Sequence, residues 1–188
     1  MTRADRVAAI AALAALLTWQ APAPAVAANP SFSCTGKLTP TEKVICANDS
    51  LAALDVALAA AYKAKLATLP AESANSLEVT QAGLIFTQKA WVAHRNTCGT
   101  NLTCIRQAYE LRTAALAQAA NAQEMPCSRT VGAQQAAVFV KQCIEVASET
   151  HPPCNAVNSC ELIVSHNVTH CMFLGDGAPK FCAAYRNP

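Results

Sequence analysis

What this 188-residue chain lacks narrows its reading first. It has no block of basic residues. Its 14 Lys and Arg are interspersed with 12 Asp and Glu for a formal net charge of +2, so nucleic acid and anionic membrane surfaces are poor partners. It has no apolar run near the roughly twenty residues that a spanning helix needs. There is no Gly-x-Ser-x-Gly, no His-Glu-x-x-His and no Gly-rich phosphate loop, so no catalytic constellation is in place and the chain reads as a non-enzyme. Cys-x-x-Cys is missing too, which argues against dithiol redox chemistry and against a paired-cysteine metal site. No cofactor is implied. Nor is there an alternating stretch long enough for a sheet, so the chain reads as all-α.

What is present begins with an export signature. Arg3 and Arg6 precede an apolar run from Val7 to Leu17, and Ala25-Val26-Ala27 supplies the small-residue cleavage pattern. Residues 1–27 therefore read as a signal peptide, and the mature chain as periplasmic or extracellular. Ser31-Phe32-Ser33 before Cys34 is a poor lipobox, so no lipid anchor is expected. Without Arg3, Arg6 and Asp5, twelve basic and eleven acidic residues remain, a net charge near +1. All ten cysteines (34, 46, 98, 104, 127, 143, 154, 160, 171 and 182) follow the signal, and an even number in an exported chain points to disulfides.

Thr39-Pro40-Thr41-Glu42 opens a short first helix with an N-cap, Pro at the first helical position and a capping box, and Cys34 lies close enough to staple to Cys46. Asn48 to Ser50 offers a second cap for an Ala-rich helix with Leu51, Leu54, Leu58, Tyr62, Leu66 and Leu69 at helical spacing, ended by Pro70. A third helix is expected from about Ser76 to Thr97, forming an antiparallel hairpin with the second. Cys98 and Cys104 enclose a compact loop and form a second local pair. Ile105, Tyr109, Arg112 and Leu116 make a further helical stripe, which fades into a polar linker at Gln118 to Gln123.

These features divide the chain into a helical unit at 28–122 and a Cys-rich helical unit at 123–188. The second holds six cysteines, whose 15 possible pairings spacing does not resolve. In it, Ala133 to Ser148 reads as a helix buried through Ala136, Phe139, Val140, Cys143, Ile144 and Ala147. A helix capped at Asn158 or Ser159 runs to about Leu174, and a short last helix follows Pro179. His166 and His170 have metal-compatible spacing, but without a nearby carboxylate they read as surface residues, as does His94. Asn48, Asn101 and Asn167 head Asn-x-Ser/Thr sequons, which would carry sugar only in a eukaryotic secretory pathway.

One stripe stands apart. Leu77, Gln81, Leu84, Gln88, Trp91, Arg95 and Cys98 succeed one another at steps of four and three, on one narrow helical face. Two amides, an indole and a guanidinium on a packing seam require partners. Asp55 or Glu42 is the expected mate of Arg95, with exposed Gln88, Trp91 and Arg95 forming a contact patch as the other reading.

The ordered set Cys34, Thr41-Glu42, Ile45-Cys46, Leu51, Leu54-Asp55, Leu58, Tyr62, Gln88, Trp91, Arg95, Cys98, Cys104, Tyr109, Arg112 and Leu116 resembles the LprI-type lysozyme inhibitor domain, over about residues 34–118. The resemblance implies a small, disulfide-bonded, helical protein of the bacterial cell envelope that binds and inhibits lysozyme. The alternative is a structural or scaffolding protein that binds another envelope partner. For inhibition, the inserts expected to enter a substrate cleft are the Cys98–Cys104 loop and the Pro152-Pro153 segment, because a stapled loop loses little entropy on binding.

Overall fold

A computed structural model describes residues 29–73, 78–118, 125–147 and 153–186. Among them are eight α-helices, a single 3-10 turn and no strand. The helices are α1 (Pro40–Cys46), α2 (Asp49–Thr68), α3 (Gln81–Asn96), α4 (Leu102–Ala117), α5 (Cys127–Val131), α6 (Ala133–Ala147), α7 (Cys160–Phe173) and α8 (Cys182–Tyr185). No single helix among the described residues is long and apolar enough to cross a membrane.

The starts are set by side-chain caps. Thr39 and Glu42 close the capping box of α1 with Pro40 at its first position. Asn48, Thr80, Asn101 and Ser159 each accept a backbone N–H at the heads of α2, α3, α4 and α7. The third helix therefore starts later than its hydrophobic pattern suggests. Thr80 Oγ1 accepts the Gly83 amide, and the Thr80 amide donates to Ser165 Oγ at 3.0 Å, which fixes the cap at residue 80. Ser76 and Leu77 lie outside the described residues.

The expected hairpin is built differently. α2 packs along α4, whereas α3 lies along α7. The reason is the small face of α3: a Cβ placed on Gly83 would come within 2.0 Å of Ser165 Oγ, so only a glycine admits α7 this closely. α7 is the central helix, touched by α3, α5, α6 and α8. Buried residues surround it, including Ile163, Val164, His166, Asn167 and Val168. Cys160, Val164, Val168 and Cys171, which follow one another at steps of four and three, are thus only part of its buried surface. On α6 the inward residues are Ala136, Phe139, Cys143 and Val146, while Ile144 faces solvent. One buried cluster runs from Ile45 on α1 to Tyr185 on α8.

Five disulfides staple this core. Cys34–Cys46 and Cys98–Cys104 are the two local pairs expected from spacing. In the second half the pairs are Cys127–Cys160, Cys143–Cys154 and Cys171–Cys182. No described cysteine is free. Each bridge contributes about 2–4 kcal/mol by constraining the unfolded chain.

Candidate functional site

The polar seam of α3 meets two charged networks. The first gathers on Arg95, which is only 3% exposed. Its Nη1 donates to the Tyr109 hydroxyl at 2.9 Å and stands 3.9 Å from Asp55 Oδ1. Its Nη2 lies 3.8 Å from Glu42 Oε1, and Nε and Nη2 both donate to Asn96 Oδ1. The Tyr109 hydroxyl in turn donates a hydrogen bond to Asp55 Oδ1 at 2.8 Å, and Asp55 Oδ2 accepts the Ser31 amide at 2.6 Å. The guanidinium carbon also sits 5.4 Å from the Trp91 ring centre and 5.7 Å from that of Tyr109, within cation–π range. Asp55 and Glu42 thus both face Arg95.

The second network gathers on Arg112, which is wholly buried. It pairs with Glu161 Oε1 at 2.5 Å and donates from Nε to Gln88 Oε1 at 2.9 Å. Thr87 Oγ1 reaches the same Glu161 oxygen at 2.9 Å. This pair joins α4 to the head of α7.

The protonation states follow from these contacts. Burial opposes the Glu161 carboxylate, but the Arg112 guanidinium overrides it and holds the group below the usual carboxylate range. The Thr39 amide, against weaker opposition from burial, lowers Glu42. Burial pushes the Tyr109 phenol far up despite the nearby Arg95. It raises Tyr62 as well, with Arg112 in opposition. Neither tyrosine is an acid near neutral pH.

Beside the first network is a recess of about 360 Å³, bordered by Phe32, Glu42, Tyr62, Lys63, Gln88 and Arg95. Trp91 is 1% exposed and donates from Nε1 to the Ala108 carbonyl, so its ring is part of the core and not of a contact patch. Gln88 and Tyr62 are half-buried.

The histidines depart from expectation. His166 is 2% exposed because it lies on the central helix, and its ring centre is 4.2 Å from that of half-buried His170. His94 is half-buried against Gly132, whose Cβ position would lie 2.9 Å from the imidazole. Cys143, Cys154 and His166 come within 4.8 Å of one another, yet the two sulfurs are bonded to each other and present no thiolate. Of the sequon asparagines, Asn48 and Asn101 are helix caps. Asn167 is buried, donating to the Phe139 carbonyl and the Tyr185 hydroxyl.

Glu161 and Thr87 were not legible as site residues. Glu161 looks like an ordinary acidic residue in a helix's first turn, favourable to the dipole there. Its partner lies 49 positions away, and the sole hint was that Arg112 sits on a buried stripe and needs an anion.

The fold and the site define a class: a compact, wholly helical protein among its described residues, stapled by five disulfides and locked by two buried arginine networks. The family model described as "Lysozyme inhibitor LprI" matches residues 34–125, just under half of the chain. No curated protein and no solved structure matches the chain.

Proposed function

We propose that this chain is an exported, non-enzymatic protein that binds and inhibits a lysozyme-type muramidase. The family match over residues 34–125 carries the reading. Five disulfides suit an oxidising compartment, in keeping with residues 1–27 as an export signal. We assign the motif residues Asp55, Trp91, Arg95, Tyr109 and Arg112 an architectural role, because their hydrogen bonds run inward. Gln88 supports Arg112, and Tyr62 borders the adjacent recess.

Contact with lysozyme then falls to exposed elements. The Cys98–Cys104 loop is one. Thr41 Oγ1 binds the carbonyls of Asn96 and Gly99, Asn101 caps the following helix, and Leu102 stands 51% exposed. Such a loop is ordered before binding and loses little entropy. The Pro152-Pro153 segment lies partly outside the described residues.

The competing reading is an envelope scaffold that binds some other exported protein. The near-neutral mature charge, which gives no long-range steering, favours it. Titrating purified mature protein into lysozymes digesting cell walls separates the two. Inhibition at near-equimolar protein is expected. Undiminished lysis at micromolar excess against several lysozyme types overturns the inhibitor reading.

A further inference from the structure

Beyond the family segment, the end of α7 carries a feature that the core does not use. Met172, Phe173 and Leu174 are 54%, 88% and 38% exposed, three apolar side chains in succession. Single exposed aliphatics such as Val56 or Val138 are ordinary, but a contiguous triplet with a bare phenyl ring at its centre marks an interaction site. Burying Phe173 offers a large apolar gain that the folded chain leaves unclaimed.

The triplet is held rigidly. Cys171, immediately before it, is buried and bonded to Cys182 on α8. The Arg186 guanidinium donates to the carbonyls of Cys171 and Gly175, bracketing the triplet on both sides. Gly175 turns the chain at φ 53°, and the Leu174 amide returns to the His170 carbonyl. A knob fixed in this way adds little ordering cost on binding.

Its surroundings favour a protein over a lipid surface. A recess of about 310 Å³ opens beside Met172, with Glu72, Tyr185 and Arg186 among its lining residues. A groove with both charge signs on its rim fits a shaped partner. Within the stapled loop and the residues after it, Lys180 and Arg186 outnumber the single acid, Asp176. That balance complements a cleft bordered by carboxylates. A muramidase cleft is such a place: it receives sugar rings on apolar faces beside two acidic groups.

Resting on the inhibitor reading above, we propose that the Met172–Leu174 knob is a second anchor for lysozyme, with the Phe173 ring occupying part of the sugar-binding cleft and Lys180 facing its carboxylates. The appended second half would then contribute affinity and partner choice that residues 34–125 do not supply alone.

The test compares inhibition by wild type, Phe173→Ser, Phe173→Tyr, Lys180→Glu and Leu102→Ser, with thermal melts to confirm equal folding and co-sedimentation on phosphatidylglycerol vesicles. Phe173→Ser is expected to weaken inhibition roughly tenfold or more while melting like wild type. Phe173→Tyr should retain most of the inhibition, and Lys180→Glu should weaken it. Potent wild-type inhibition unchanged by Phe173→Ser overturns the anchor and leaves the inhibitor reading standing; a loss in Leu102→Ser alone would then point to the Cys98–Cys104 loop. Vesicle binding lost in Phe173→Ser with inhibition unchanged assigns the knob to lipid and also overturns the proposal. No inhibition by the wild-type chain removes both readings together.

Discussion

Arg95 draws on Asp55, Glu42, Tyr109, Asn96 and two aromatic rings from one position on α3. A buried cation in such a setting is costly to strand, so the partners matter more than the pair's net worth. Asp55→Ala removes the acceptor of the Tyr109 hydroxyl and the Ser31 amide and leaves Glu42 as the remaining carboxylate facing Arg95. We expect a loss of about 2–4 kcal/mol in denaturant unfolding; a loss near zero would show that the pairing is incidental. At the second network, Glu161→Ala strands Arg112 and should cost about 3–5 kcal/mol. The same carboxylate gives a pH signature. Because its folded pKa lies below the ordinary value of 4.5, its stabilisation is complete above that value and is lost as pH falls through the folded pKa. The acid limb of a stability–pH curve should therefore be shallower in Glu161→Gln than in wild type. Arg95's mates could be read from sequence because Asp55 and Glu42 share the first unit's pattern. Arg112's mate could not, since helical periodicity shows that a residue is buried but not which distant helix covers it.

Among the elements, α3 and α7 show why local signals stop short of packing. Caps and stripes located most helices to within a few residues, since Thr39, Asn48 and Ser159 announce themselves by residue type. The choice of neighbours was less visible. Gly83 lies inside a helical pattern as an isolated glycine, and its meaning emerges only when Ser165 is seen against it. Gly83→Ala should push α3 away from α7 and cost about 1–3 kcal/mol, measured as a fall in thermal midpoint. In the double variant with Ser165→Gly, the two effects should be less than additive, because both act on one contact. Full additivity would mean that the helices do not meet through this pair. α7 itself misled the pattern reading. A helix surrounded by neighbours has no polar face to mark it, which is why His166 looked like a surface residue.

At the scale of the whole molecule, the sequence divides at about residue 122, yet the buried cluster passes through both parts and the Arg112–Glu161 pair bridges them. We propose that residues 28–122 and 123–188 are units of sequence that stabilise each other. Residues 28–122 alone should melt earlier and more broadly than the mature chain in far-UV circular dichroism; an equally sharp and equally hot transition would make the first unit self-sufficient. On this account, the family motif holds the scaffold and exposed, stapled loops do the binding. The measurement that bears most directly on it is the lysis of bacterial cell walls by lysozyme, titrated with the mature protein. The account predicts that lysis is abolished near one equivalent of inhibitor. Lysis that continues at full rate in micromolar excess, with the protein shown to be folded and fully disulfide-bonded, would contradict it.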